Sequence, residues 1–150
     1  MLEKIPYGYE EIVEEFGDPF AKGFAAEIVL FRLPYTLFYL DKPVDRATAH
    51  RKAVPHFQAA LEFVLARGLT QFVRNYGGIY AKRSKRGQRG FISTHAWGIA
   101  VDLEPQKYPL GSTERFPDSV VECFSDAGFF YGGDFSGRSD PMHFQLCGGY

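Results

Sequence analysis

Two short runs of alternating residues constrain the fold of this chain more than any other feature. In residues 99–103, branched apolar side chains alternate with small or polar ones, and Asp102 falls on the polar side. In residues 142–147, apolar side chains alternate with polar ones, and His143 falls on the polar side. Because successive side chains of a strand point to opposite faces, both runs predict strands with one face in a core. Neighbouring strands of this kind would turn their polar groups into one cleft.

The polar residues of these two runs have the chemistry of a metal site. A catalytic zinc ion takes three ligands from His and Asp or Glu and keeps a fourth position for water. His95, Asp102 and His143 would supply two imidazole nitrogens and one carboxylate oxygen, and Asp140 would lie close enough to act as a proton carrier. The spacing is also compatible with a polar cluster, or with a metal-free hydrolase site that uses His and Asp.

Length and composition favour a single domain, residues 1–150, of the α+β class. The chain has 150 residues, of which 45% are hydrophobic and 17% aromatic, with 16 Gly and 9 Pro that indicate many turns. This length is sufficient for a hydrophobic core without disulfides, and the two cysteines, Cys123 and Cys147, are expected to be buried thiols. The net charge of -1 gives the chain no overall attraction to nucleic acid or membranes.

Local patterns predict the remaining elements. Asp45 is a candidate N-cap for one long helix over residues 46–67, which Pro55 would kink or divide. His50 and His56 fall within it and are expected to be surface or capping residues. The other expected elements are a helix over 9–16, two strands within 26–39 around Leu33-Pro34, a strand over 69–76 ending at a Gly77-Gly78 turn, and a helix over 117–127.

A basic segment precedes the first site strand. Its charged residues are Lys82, Arg83, Lys85, Arg86 and Arg89. Such a run is usually a solvated loop, and the functional alternative is a guanidinium group directed at a substrate carboxylate or carbonyl oxygen.

Several motifs together resemble one family of enzymes. They are Ser93, His95, Gly98, Ala100 and Asp102, then Gly128-Phe129, Gly132-Gly133 and the segment Asp140-Pro141-Met142-His143-Phe144. This pattern is similar to the zinc D-alanyl-D-alanine carboxypeptidase and L-alanyl-D-glutamate endopeptidase family, which includes vancomycin-resistance D,D-peptidases and phage endolysins. The segment from Gly77 to Arg83 resembles the part of that family that carries its substrate-facing arginine. The resemblance implies a small antiparallel sheet that carries the metal site and packs against helices, as in hedgehog domains and D,D-peptidases.

The same resemblance implies roles for individual residues. It makes His95, Asp102 and His143 the Zn²⁺ ligands and Asp140 the catalytic base. Arg83, or Arg86 as the competing candidate, would steady the scissile carbonyl oxygen or a substrate carboxylate. Three further residues are expected to support the first ligand or form the substrate pocket: Ser93, Trp97 and Tyr131. Tyr131 departs from the family pattern, in which many relatives have Trp before the two glycines.

The function implied by the resemblance is hydrolysis of an amide bond in the stem peptide of bacterial peptidoglycan, of the L-Ala-D-Glu endopeptidase or D,D-carboxypeptidase type, by a phage-type lysin. The alternatives are a non-catalytic metal-containing binding module of the same fold, and a cytosolic dipeptidase acting on D-Ala-D-Ala. We expect a monomer without membrane insertion or nucleic-acid binding. The N-terminus shows no signal-peptide pattern, which fits a lysin that accumulates in the host cytoplasm before it reaches the cell wall.

Overall fold

In the part of the chain that the structure describes, six strands form two antiparallel sheets, and three α-helices accompany them. The computed structural model describes residues 1–82 and 91–150. The helices are α1 (Tyr9–Phe16), α2 (Val54–Ala66) and α3 (Asp118–Asp126), and the strands are β1 (Ile28–Tyr39), β2 (Lys42–His50), β3 (Tyr76–Gly78), β4 (Ala100–Leu103), β5 (Phe130–Tyr131) and β6 (His143–Gln145). The α+β class and the small antiparallel sheet expected from the sequence are confirmed. No helix within the described ranges has the length and apolar character needed to cross a bilayer.

The two sheets differ in size and role. Strands β1 and β2 form a long hairpin, whereas a four-stranded sheet with the order β3-β4-β6-β5 contains both runs of alternating residues. We call the latter the site sheet. All its neighbouring strands are antiparallel. The side chains of Val101, Leu103 and Phe144 lie in the core, as the period of two predicts.

An aromatic core fixes the site sheet to the helices. Phe124 of α3 stacks on Phe144 of β6 with 4.1 Å between ring centroids. Phe57 of α2 packs on Phe129 at 4.9 Å, and Phe129 contacts Phe124 edge-on. Aromatic pairs of this kind add to the stabilisation that burial of their large apolar area provides. The apolar face of β6 is therefore anchored to both helices, which holds its polar face in place.

The prediction of one long helix over residues 46–67 is wrong. Residues Lys42–His50 form strand β2, whose backbone pairs with β1, and helix α2 begins only at Val54. Pro55 lies in the first turn of α2, where its missing N–H costs no hydrogen bond, so it does not kink the helix. Pairing with β1, a tertiary effect, overrides the helical pattern of this segment.

Two strand predictions also need correction. Residues 26–39 were expected to form two strands, but β1 is one strand with an irregular register between Arg32 and Leu37, where Pro34 lies. A bulge accommodates a proline because the residue need not donate to the ladder there. The strand expected over 69–76 is instead a short 3-10 helix, Thr70–Phe72, and the predicted Gly77-Gly78 turn is part of β3.

His50 and His56 are buried, not surface residues. His50 donates from Nε2 to the carbonyl of Phe16 and accepts the backbone N–H of Lys52 at Nδ1. His56 donates from Nδ1 to the carbonyl of Ala127 and accepts the N–H of Leu2 at Nε2. Each neutral ring thus uses both nitrogens, one as donor and one as acceptor. The burial that the sequence did not predict lowers the pKa of both histidines.

The lowered pKa values of His50 and His56 predict that the protein loses stability in acid. Their folded-state pKa values lie below the ordinary value of 6.5, so below that pH the unfolded chain binds protons more readily than the folded one. The free energy of unfolding should fall as pH drops through 6.5, by up to about 1.4 kcal/mol per pH unit for each histidine. Urea unfolding at several pH values measures this slope. The double variant His50→Gln and His56→Gln, whose amides do not titrate, should show a shallower slope, and an unchanged slope would refute the assignment.

Candidate metal centre

The site sheet places Asp102 and His143 directly opposite each other. Asp102 of β4 is the register partner of His143 of β6. Directly opposed side chains on one face of an antiparallel pair lie close enough to interact. His143 Nδ1 is 3.0 Å from Asp102 Oδ1. Two of the three expected ligands are therefore brought together by strand pairing.

A short 3-10 helix, Thr94–Trp97, brings His95 to the same place. Ser93 caps this helix, and its Oγ accepts the backbone N–H of His95 at 3.2 Å. The helix ends at Gly98, whose φ of 72° is in the left-handed region. A Cβ at Gly98 would lie 2.7 Å from the backbone nitrogen of His50, so glycine is required there. Ser93 thus supports His95 through the backbone and not through the imidazole ring.

The imidazole of His95 is oriented by a backbone carbonyl. Its Nδ1 donates to the carbonyl oxygen of Ile79 at 2.7 Å, which leaves the lone pair on Nε2. A hydrogen bond from the ring to a backbone carbonyl, like the one to Ile79, is typical of metal-ligating histidines. The other ring nitrogen, Nε2, is 3.3 Å from Asp102 Oδ2. The ligand atoms of His95, Asp102 and His143 all lie within 4.8 Å of one another.

The donor set fits a divalent cation. His95 Nε2 is buried and has no hydrogen-bond partner among the described residues. A buried acceptor left without a donor is costly, and a cation between the two imidazoles and the carboxylate would satisfy it. Two nitrogens and one oxygen are the ligands that catalytic Zn²⁺ takes in many hydrolases. The positions and chemistry of these atoms therefore fit a bound divalent cation.

The two charged partners shift each other's pKa. Burial alone would raise the pKa of Asp102, but the hydrogen bond with His143 and the nearby imidazole of His95 outweigh it and hold that pKa well below its usual range. Burial alone would lower the pKa of His143, but its contacts with Asp102 outweigh burial and raise that pKa. Asp102 is consequently an anion at all ordinary pH values. A cation bound here competes with the proton on His143 Nδ1.

Asp140 lies beside the three ligands. Its Oδ2 is 3.7 Å from His143 Nδ1, and its backbone is held by hydrogen bonds to the carbonyl of Gly132 and from the N–H of His143. The strand β5 and the Gly132 turn therefore determine where this carboxylate sits. Asp102 directs both oxygens at imidazoles, so Asp140 is the second carboxylate of the site.

Two further predicted site residues lie behind the cleft. Tyr131 is buried, and its hydroxyl donates to the carbonyl of Pro141 at 2.8 Å and accepts the N–H of Phe116. Trp97 is completely buried, and its indole N–H donates to the carbonyl of Gly17 at 2.8 Å. Neither residue is among the described ones that line the cavity. Arg83 and Arg86 lie outside the described residues.

The sequence reasoning missed the residues that hold the far side of His143. His143 Nε2 is 2.9 Å from Gln145 Oε1 and 3.3 Å from Thr94 Oγ1. Gln145 lies two residues after His143 on the same face of β6, so the period of two already contained this signal. Thr94 precedes His95 by one residue, and nothing in its spacing predicts the contact.

The cluster opens into a cavity of about 650 Å³. This volume is within the usual range of small-ligand sites. The lining includes Asp102, Asp140, Tyr7 and Phe130, and Arg138 is the basic side chain among the described residues of its wall. Among the described residues, the cavity wall thus combines a metal-type cluster, aromatic surface and a guanidinium group.

Comparison with known proteins supports this chemistry. Residues 86–146 match a family model described as D-alanyl-D-alanine carboxypeptidase. The matched range contains His95, Asp102, Asp140 and His143, so the resemblance seen in the sequence is confirmed for the part of the chain that carries the site. A search of curated proteins found no match. The family and the ligand cluster together indicate a metallopeptidase.

Proposed function

Starting from this family match, we propose that the protein is a zinc-dependent peptidase that hydrolyses an amide bond in the stem peptide of bacterial peptidoglycan, as phage lysins do. The observation that carries the proposal is the convergence of His95, Asp102 and His143 on one point, with Asp140 beside them. In a lysin of this kind the protein would accumulate in the host cytoplasm before reaching the cell wall.

The ligands and the second carboxylate have separate tasks. His95 Nε2, an Asp102 oxygen and His143 Nδ1 would hold Zn²⁺, which supplies Lewis acidity that polarises the scissile carbonyl and acidifies water. Asp140 accepts the proton of the attacking water and passes it to the leaving amine. The 3.7 Å separation of its Oδ2 from His143 Nδ1 supports this role. Asp102 takes no part in this transfer, because its low pKa keeps it ionised.

Substrate charge matches the groups around the cavity. Stem peptides carry several carboxylates, and Arg138 in the cavity wall can pair with one of them. Arg83 or Arg86, in the basic segment that precedes β4 in the chain, would face the scissile carbonyl.

Digestion of purified peptidoglycan tests the proposal. The zinc-loaded protein should release fragments with a new amino terminus within the stem peptide, located by mass spectrometry. A chelator should abolish the release, and added Zn²⁺ should restore it, because the ligand cluster is the centre of the reaction.

Three other outcomes would overturn the proposal. Stoichiometric zinc binding without any peptide hydrolysis would identify a non-catalytic module of the same fold. Cleavage of free D-Ala-D-Ala with no action on peptidoglycan would identify a dipeptidase. Failure to bind zinc would refute the metal centre itself.

A further inference from the structure

We propose that Gln145 is a positioning residue that fixes the ring orientation and tautomer of His143, so that Nδ1 faces the metal position. This inference rests on the metal centre of the proposed function, but not on the identity of the peptide that is cut. Gln145 is not one of the three clustered ligands, and it contacts His143 at Nε2, whereas Asp102 contacts the ring at Nδ1. It acts through His143 alone, and 3% of its surface is exposed.

The orientation of the Gln145 amide is determined by its neighbours. Its Nε2 lies 3.2 Å from the carbonyl oxygen of Cys147 and 3.2 Å from the main-chain oxygen of Tyr150. Both neighbours accept hydrogen bonds only, so the NH₂ group must face them. The amide oxygen is therefore the atom that faces His143, at 2.9 Å from Nε2.

This orientation dictates the tautomer of His143. Because Gln145 Oε1 can only accept, His143 Nε2 must carry a hydrogen and donate it. When a cation occupies the site, the lone pair of the neutral ring therefore resides on Nδ1, which faces Asp102 and His95. Without a cation, the carboxylate of Asp102 is a second acceptor, 3.0 Å from Nδ1. Thr94 reinforces the arrangement, since its hydroxyl donates to the same Gln145 oxygen at 3.3 Å.

The two metal-binding histidines consequently use opposite nitrogens. His95 is fixed by a backbone carbonyl on Nδ1 and offers Nε2, whereas His143 is fixed by a side-chain amide on Nε2 and offers Nδ1. Substitution of a side chain does not remove a backbone acceptor such as the Ile79 carbonyl. Substitution of Gln145 does remove its amide, so mutagenesis can test the proposed role.

Two substitutions of Gln145 separate the proposed role from simple packing. Gln145→Met keeps the length of the side chain but removes the acceptor. Gln145→Glu keeps an oxygen that can face His143, and in its protonated form the other oxygen can donate to one of the two carbonyls that the amide now serves. We expect Gln145→Met to lower zinc affinity by about 10- to 100-fold, the usual loss when such a supporting group is removed. Gln145→Glu should bind zinc within a few-fold of the parent protein. Competition with a chromophoric chelator measures both affinities.

Nitrogen NMR of the zinc-loaded protein gives the second measurement. The parent protein should show a protonated Nε2 and a metal-bound Nδ1 on His143, and Gln145→Met should show a mixture of rings bound through either nitrogen. Circular dichroism verifies that each variant is folded. An unaltered tautomer and zinc affinity in Gln145→Met would overturn the inference, as would equal loss of affinity in both variants. A parent protein that binds zinc with this tautomer but cuts no peptidoglycan would refute only the proposed substrate.

Discussion

Replacing Asp140 with asparagine is expected to reduce peptide hydrolysis by about 100- to 10,000-fold, the usual contribution of a positioned acid or base, while zinc remains bound. The amide is nearly isosteric with the carboxylate but cannot accept a proton at neutral pH. The backbone hydrogen bonds that hold this residue, to Gly132 and from His143, do not depend on its side chain. Single-turnover rates on a defined stem peptide, together with elemental analysis, measure the two properties separately.

The matched comparison is His143→Ala, which should lose both activity and zinc. His143 supplies one of the clustered ligand atoms, whereas Asp140 lies outside that set. If the two variants lost zinc to the same extent, Asp140 would have to be counted among the ligands. If Asp140→Asn retained full activity, another group would have to move the proton.

Replacing Gly132 with alanine is expected to damage the site and the fold together. A Cβ at Gly132 would lie 2.3 Å from the carbonyl oxygen of Asp140 and 2.9 Å from that of His143. These are backbone atoms, so the clash is relieved only if the turn and β6 move apart. We expect a destabilisation of about 1–3 kcal/mol, as for other overpacked sites. Zinc affinity and activity should fall as well, because a displacement of Asp140 and His143 alters the site geometry. Urea unfolding and zinc competition measure these changes.

Gly137→Ala is the control for this substitution. Gly137 lies on the same connection between β5 and β6, and a Cβ there would meet no atom within 4 Å. Its stability should stay within about 0.5 kcal/mol of the parent protein, and its zinc affinity should be unchanged. Similar behaviour of the two variants would show that the close approach at Gly132 has no effect on the site.

The parts of the fold that the sequence predicted are those in which local pattern and tertiary environment agree. Alternation in residues 99–103 and 142–147 predicted strands with one apolar face, and β4 and β6 are paired in the site sheet with Asp102 opposite His143. Helices α1 and α3 also lie where their apolar spacing and glycine ends placed them. In each case the residues that mark the element are close in sequence.

The failures have the opposite cause. Residues 46–50 have no local feature that distinguishes a strand from a helix, and their partner strand β1 lies earlier in the chain. The burial of His50 and His56 depends on carbonyl groups of Phe16 and Ala127, which are distant in sequence. The candidate ligands could be recognised from their residue types. The close approach of Gly132 to the backbone of Asp140 and His143 could not, because it depends on how two segments pack in the folded protein.

Trp97 gives the molecule an intrinsic optical reporter. It is the single tryptophan of the chain, it is completely buried, and it lies two residues after His95 in the 3-10 helix that presents this histidine. Its indole bond to Gly17 also joins that helix to the end of α1. Fluorescence from one fluorophore therefore monitors, without any label, whether the N-terminal helix and the support of the metal centre remain joined.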